Sequence, residues 1–132
     1  MSSFSISIDG VDKLSAKLGR IERVQDVLEP VARRRIRAMR DRARIYPPRL
    51  PNQRYVRTYT LRGGWNDSVQ RVSNGIVARA ENKVGYSPWV QGYGTQAGIH
   101  RGRWETERQI LDAETPQTVQ EFGDAIQRAL DE

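Results

Sequence analysis

Cysteine is absent from this sequence of 132 residues, and histidine occurs only once, at His100. Without cysteine the chain forms neither disulfides nor thiolate metal sites, and one imidazole without suitably spaced carboxylates holds no metal. No segment approaches the roughly 18 consecutive apolar residues that cross a bilayer. The first residues also lack the basic and apolar regions of a signal peptide. We therefore expect an intracellular chain with no cofactor, no metal and no membrane partner.

Apolar side chains are also scarce, at 37% of the residues and a mean hydropathy of −0.72. A chain of this length forms one domain, here residues 1–132, but it buries only a modest apolar area. Such a domain often completes its burial against a partner or another copy. The composition therefore favours an oligomer.

Arginine is what the sequence has in excess, since it supplies 19 of the 22 basic residues of a chain with net charge +6. The charge is unevenly distributed. Residues 31–108 hold 17 basic and five acidic residues, whereas residues 109–132 hold one basic and six acidic residues. Guanidinium groups suit protein interfaces as well as phosphates. A basic middle and an acidic C-terminal segment predict a head-to-tail attraction between copies.

Strand patterns occur in two parts of the chain. Apolar residues alternate with serine over residues 3–8, which predicts a half-buried strand. Residues 65–72 and 76–82 predict a hairpin with its turn at Asn74–Gly75. Residues 84–91 fit either a further strand or a short helical turn.

Helical periodicity marks three segments. Apolar residues recur at helical spacing over 11–21 and again over 24–45, where Pro30 marks a kink or the first turn. The apolar stripe of this long helix consists of Leu28, Ala32, Ile36, Met39 and Ala43. A C-terminal helix is predicted to begin with Thr115 as N-cap and Pro116 at its first position. Its apolar face consists of Val119, Phe122, Ile126 and Leu130.

Two irregular segments connect these elements. Residues 46–58 contain three prolines and predict an extended connector, and residues 92–103 predict a flexible glycine-rich loop. The resulting fold class is α+β: a small, mostly antiparallel sheet packed by a long N-terminal helix and a C-terminal helix.

The arginines of the long helix fall into two groups. A row opposite the apolar stripe consists of Arg33, Arg37, Arg40 and Arg44. Such a row suits phosphates, an acidic neighbour or solvent alone. Arg35 and Arg42 fall inside the apolar arc instead, where an unpaired charge is costly. We expect these two to reach solvent or to meet acidic residues, with the C-terminal segment as one source.

Catalysis has little support in the residue pattern. A small basic ribonuclease or toxin would use His100 with Arg101, Arg103 and a tyrosine, but nothing nearby supplies a nucleophile and an orienting group. An exposed loop histidine is the simpler interpretation. A DNA-binding module that uses the arginine row is the other alternative.

Two motifs resemble the neck and tail-completion proteins of tailed bacteriophages. The family pattern R-T-G-x-L-x-x-S-W is similar to residues 57–65, with Tyr59 at the usual glycine and Gly64 at the usual serine. The pattern N-x-x-x-Y-A-x-x-V-(E/Q)-x-G-T is similar to residues 82–95. The sequence HRGRW at 100–104 fits the loop before the C-terminal helix in one branch of the family.

This resemblance spans roughly residues 10–130 and implies a non-enzymatic virion protein. It implies a homo-oligomeric ring at the head–tail junction through which DNA passes, with possible non-specific contact with the duplex. The implied partners are a head-side adaptor or head-closure protein and a tail-side terminator or tail protein. The implied location is the virion neck or tail, and the host cytoplasm during assembly.

A ring joins one face of each copy to a different face of the next. We expect the basic middle of one copy to meet the acidic C-terminal segment of its neighbour, with Trp89 and Trp104 as anchors. The expected interface residues are Arg33, Arg37, Arg40, Arg44, Trp89, Gln91, His100, Arg101, Arg103, Trp104, Glu114, Glu121 and Asp124.

Overall fold

A computed structural model of the chain describes residues 2–49, 51 and 59–132. Its elements are β1 (Ser2–Asp9), α1 (Val11–Leu18), α2 (Ile21–Ala43), α3 (Thr60–Gly63), β2 (Trp65–Val72), β3 (Gly75–Asn82), α4 (Ser87–Gln91) and α5 (Glu107–Asp131), with a turn of 3₁₀ helix at Gly98–His100. The sheet and α5 both pack on α2. The predicted α+β class is confirmed, with a long N-terminal and a long C-terminal helix.

The sheet has three antiparallel strands in the order β1-β3-β2. Phe4 of β1 lies opposite Ala80 of β3, and both are buried on the face that packs against the helices. Ser3, Ser5 and Ser7 point to the other face and are exposed. The predicted alternation along β1 is therefore confirmed, and one face of the sheet is left to solvent.

The hairpin turn lies one residue earlier than predicted. Ser73 and Asn74 form the turn, and Gly75 already belongs to β3. A β-carbon on Gly75 would lie 1.8 Å from the carbonyl oxygen of Ile8 in β1. Glycine is therefore required here by the close approach of β1 rather than by a left-handed turn.

The long helix α2 buries its whole predicted apolar stripe. Pro30 neither starts this helix nor ends it, because helical residues lie on both sides of it. Its ring is exposed, so the carbonyl left without a donor one turn earlier, at Asp26, lies on a solvent-facing part of the helix. The interpretation of Pro30 as the first turn is thus wrong.

The C-terminal helix begins nine residues before the predicted Thr115 cap. Thr106 is the N-cap: its hydroxyl accepts the Gln109 amide at 3.1 Å, and the Gln109 side chain accepts the Thr106 amide at 2.8 Å. This reciprocal pair is a capping box. Pro116 lies inside the helix, and Val119 is 64% exposed. The buried face consists of Ile110, Thr118, Phe122, Ala125 and Ala129.

The irregular segments are partly as predicted. Residues 84–91 contain α4, which confirms the helical alternative. Tyr46–Arg49 are not helical, and the rest of the predicted connector up to residue 58 lies outside the described residues except for Pro51. Within the described ranges, no helix has the length and apolar character of a membrane span.

Candidate interaction surface

The predicted arginine row does not form one free face. Arg33 and Arg37 are exposed, and Arg33 lies 3.8 Å from Glu29 one turn earlier. Arg40 is half-buried because it pairs with Asp67 of β2 and, at 3.0 Å, with Asp41. Arg44 lies just beyond the last residue of α2 and turns into a separate pocket. The row is therefore divided between solvent, the sheet and the helix end.

Arg35 lies buried between α2 and α5, and only 8% of the residue is exposed. Its guanidinium group lies 3.2 Å from Glu114 and 3.1 Å from Glu121, and its Nε donates to the Thr118 hydroxyl at 3.1 Å. Buried charges are tolerated when paired and hydrogen-bonded in this way. The expectation that Arg35 meets acidic residues of the C-terminal segment is confirmed.

The charge of Arg42, two helical turns after Arg35 on α2, is also paired with acidic residues. Its guanidinium group makes a bidentate pair with Glu105, with both N–O distances 2.7 Å, and lies 3.9 Å from Glu114. Bidentate pairs fix geometry as well as charge. Arg42 thereby ties the end of α2 to the segment that leads into α5.

These pairs use most of the acidic charge that we expected a neighbouring copy to meet. Glu121 also accepts from Arg34 at 2.7 Å, so both Glu114 and Glu121 bind arginines of their own chain. Asp124 is exposed and has no ion pair within the described part of the chain. A contact between copies at Glu114 and Glu121 would therefore compete with pairs that already hold the fold together.

Glu121 makes stability depend on acidity. The hydrogen bond from Gln117, followed by the hydrogen bond from Arg34 and the charges of Arg35 and Arg34, lowers the pKa of Glu121 below its ordinary value of 4.5, against the opposing effect of burial. A lowered folded-state pKa stabilises the fold above the unfolded value, and this contribution disappears as pH falls through the folded value. Urea unfolding should show wild type more stable than Glu121→Gln at neutral pH, with the gap closing in acid. A gap that stays constant would contradict this assignment.

The segment from Trp89 to Trp104 is a folded loop. The side-chain amide of Gln96 donates to the carbonyl oxygens of Val90 at 2.7 Å, Trp104 at 2.9 Å and His100 at 3.3 Å. The Ala97 amide donates to the Trp89 carbonyl at 2.7 Å. These bonds give the loop a definite internal structure.

Large apolar side chains project from this loop. Trp89 is 62% exposed, Tyr93 67% and Ile99 74%. We call these three residues the apolar loop patch. The loop is attached to the body by Glu107, whose carboxylate accepts the amides of Tyr93 at 3.3 Å and Ser3 of β1 at 2.9 Å. Exposed apolar side chains on a structured loop are typical of a protein–protein contact.

Two other predicted interface residues of this region, Gln91 and Trp104, lie partly or wholly in the interior. Gln91 is 1% exposed; it accepts from Trp65 and donates to Ala43 at 3.0 Å, so it belongs to the interior and offers no surface. Trp104 is half-buried, and its ring centroid lies 4.7 Å from that of Tyr46. Trp104, which we expected to anchor a contact between subunits, therefore packs against an aromatic ring of its own subunit.

His100 and Arg103 make contacts within the subunit. The His100 ring packs edge-on against Trp104 at 6.4 Å, and burial, followed by the charge of Arg103, lowers the pKa of His100. Arg103 donates to the Pro48 carbonyl at 2.9 Å and joins the loop to the connector. Arg101 is exposed. Among the described residues, no three His, Asp or Glu side chains are grouped to hold a metal ion.

Gln96 is the residue of this loop that the sequence analysis missed, and it gives a direct prediction. Gln96→Leu removes the side-chain donor of the Val90 and Trp104 carbonyls, each bond worth about 1 kcal/mol, while the His100 carbonyl keeps the amides of Arg103 and Trp104. Amide exchange over residues 92–104 should accelerate about tenfold or more, and the global unfolding free energy should fall by no more than about 2 kcal/mol. Gln120→Leu, on the exposed side of α5, should leave exchange unchanged. Equal protection in both variants would show that the loop does not depend on Gln96.

Tyr59 and Gly64, the two residues that depart from the pattern which residues 57–65 resemble, both lie in restricted positions. Tyr59, at the usual glycine, adopts φ 60°, the left-handed region that glycine favours. A β-carbon on Gly64, at the usual serine, would lie 2.3 Å from the Asn82 side-chain oxygen and 2.6 Å from Val84. The backbone at Tyr59 thus has a conformation that glycine favours, and the short distances beside Gly64 leave no room for a serine.

Comparison with family models, with curated proteins and with solved structures finds no match to this chain.

Proposed function

We propose that this protein is a non-enzymatic structural subunit of an oligomeric ring at the head–tail junction of a tailed bacteriophage. In the ring, identical subunits contact one another and neighbouring head-side and tail-side proteins, and DNA passes through the centre. The observation that carries the proposal is the apolar loop patch. It lies in and directly after the segment that resembles the second phage motif, and it exposes Trp89, Tyr93 and Ile99 on a loop with a definite internal structure.

The patch is proposed to dock on the next copy of the chain. Ring closure requires two different faces of each subunit, and a projecting loop that meets another face provides such a contact. Aromatic side chains carry much of the binding free energy at protein interfaces. The small core, with a mean hydropathy of −0.72 for the chain, favours a subunit that gains stability by association.

The DNA-binding alternative keeps one supporting observation. Arg37 is exposed and has no ion pair within the described residues, and Arg33 has only a pair one helical turn away. Two exposed arginines are a smaller surface than the four-residue row that the sequence predicted. The ribonuclease alternative gains no nucleophile or orienting group beside His100 among the side chains described.

Removing the patch should weaken the ring without unfolding the subunit. We expect Trp89→Ala to raise the dissociation constant of the oligomer by about thirtyfold or more, the effect of losing roughly 2 kcal/mol at a central aromatic. The measurement is native mass spectrometry over a dilution series, with electron microscopy of the undiluted sample to show closed rings. Val119→Ala removes an equally exposed apolar side chain from α5 and serves as the matched control.

The outcomes separate the candidate functions. A wild-type protein that stays monomeric at every concentration, or a Trp89→Ala variant that assembles normally, would contradict the proposal. Salt-sensitive binding to bare duplex by a monomer would favour the DNA-binding alternative. Since exposed substitutions change folding free energy by less than about 0.5 kcal/mol, a loss of assembly in Trp89→Ala reports on the contact itself.

A further inference from the structure

A pocket of about 530 Å³ lies beyond the C-terminal end of α2. It is lined by Asp41, Arg44, Ile45, Tyr46, Tyr59 and Arg62. The proposed contact between subunits does not involve this pocket. Two guanidinium groups and two tyrosine rings therefore share a concave surface on the side of the subunit where α2 ends and α3 begins.

Arg62 is held in a defined orientation. Its guanidinium carbon lies 4.7 Å from the centre of the Tyr59 ring and 5.2 Å from that of Tyr46. The two rings lie 4.9 Å apart, and the Arg62 Nε donates to the Arg44 carbonyl at 3.4 Å. Cation–π contacts of this kind fix a guanidinium plane while leaving its charge unneutralised. The terminal nitrogens of Arg62 have no carboxylate partner among the described residues.

Arg44 brings a second unneutralised charge to the same pocket. Its Nε is buried without a hydrogen-bond partner, and no carboxylate of the described residues pairs with it. Asp41 lines the pocket, but its carboxylate already accepts two hydrogen bonds from Arg40, at 3.0 and 3.3 Å. The pocket therefore has a net positive lining, since two arginines and one aspartate are the charged residues among the described residues that line it.

Tyr59, which lines the pocket, has a strained backbone conformation. Tyr59 is the one described residue other than glycine with a positive φ. This conformation costs of order 1 kcal/mol for a tyrosine and is often found where a side chain must be held for binding. Here it places the Tyr59 ring against Arg62.

We propose that this pocket binds a phosphate group. The guanidinium groups of two arginines together present several N–H donors, which suits the tetrahedrally arranged oxygens of one phosphate. A carboxylate has two oxygens in one plane and is matched by a single guanidinium group. A phosphate on the backbone of DNA and free inorganic phosphate present the same chemistry to these donors. The proposal does not depend on the ring function, because it concerns a site within one subunit.

The test compares single-charge removals in the full chain. Arg44→Gln and Arg62→Gln remove the pocket charges, and Arg37→Gln removes one exposed charge from the same helix as the control. Inorganic phosphate is titrated against each protein at constant ionic strength, and arginine side-chain NMR signals are followed. We expect wild type and Arg37→Gln to bind alike. Each pocket variant should bind about tenfold or more weakly, the loss expected for one charge-assisted hydrogen bond. Arg44→Lys keeps the charge without the fork and should also bind more weakly.

Further titrations identify the source of the phosphate. If Arg44→Gln and Arg62→Gln each weaken the binding of a short DNA duplex more than Arg37→Gln does, the site binds the phosphates of the DNA backbone. If only inorganic phosphate responds, the site takes the free anion. Equal binding of acetate and phosphate would overturn the proposal. Identical phosphate affinities of all the variants, or no binding by wild type, would also overturn it.

Discussion

Arg35→Met should lower the free energy of unfolding by about 3 kcal/mol, which is a large part of the stability of a small domain. The methionine fills much of the volume, but it leaves Glu114 and Glu121 without the cation between them and Thr118 without its donor. Removing one partner of a buried pair is costly because the remaining carboxylates stay largely desolvated, here with only Arg34 at 2.7 Å from Glu121 and Arg42 at 3.9 Å from Glu114. Urea unfolding followed by circular dichroism measures the change.

Two comparisons separate the buried pair from a general charge effect. Arg37→Met removes the same charge from the exposed side of α2 and should change stability by less than about 0.5 kcal/mol. In a double-mutant cycle, Glu121→Gln should cost less in the Arg35→Met background than in wild type. Additive effects in the cycle would mean that Arg35 and Glu121 do not interact as their 3.1 Å separation indicates.

Gly75→Ala should destabilise the fold by about 3 kcal/mol and release β1 from the sheet. The new methyl group would lie 1.8 Å from the Ile8 oxygen and 3.0 Å from the Ile8 carbonyl carbon. These atoms belong to the backbone, so no side-chain rotation relieves the contact and the strand itself has to move. Amide exchange should accelerate first along Ser2–Asp9, because β3 is the one strand of the described residues that pairs with it.

The control for this substitution is Gly123→Ala in the exposed part of α5. A β-carbon there meets no atom within 4 Å, and alanine favours a helix over glycine by up to about 1 kcal/mol. Gly123→Ala should therefore stabilise the protein while Gly75→Ala destabilises it. Retained protection of β1 in Gly75→Ala would show that the close approach of Ile8 is not required by the fold.

The sequence predicted those elements whose apolar residues recur with a regular period. The alternation in β1 and the stripe from Leu28 to Ala43 in α2 have a period that only one kind of element satisfies. The start of α5 was missed because Thr115–Pro116 matches a helix start, although the true capping box of Thr106 and Gln109 was also present in the sequence. A proline with an exposed ring is tolerated inside a long helix whose opposite face is packed against the rest of the protein.

The candidate surfaces were less predictable than the elements. The position of Arg35 in the apolar arc indicated that it needs an acidic partner, but not that Glu114, 79 residues away, provides it. Tyr46, Tyr59 and Trp104 come together from irregular segments that have no periodicity to mark them. Gln91 was predicted at an interface because it lies in the segment that resembles the second phage motif, whereas its side chain turns inward and only 1% of the residue is exposed. Contacts between distant, irregular segments depend on the whole packing arrangement.

The serine-rich strand β1 has a consequence for how the protein behaves on storage. It forms an outer strand of the sheet, and Glu107 accepts one of its outward amides, at Ser3. Alternation places the amides of Ser5 and Ser7 on the same side, and no described residue bonds to them. Lysine, proline and bulges, which commonly protect such strands, are all missing here. Subunits held apart from their neighbours thus offer a template for fibril growth, and concentrated stocks should slowly form cross-β aggregates that bind thioflavin.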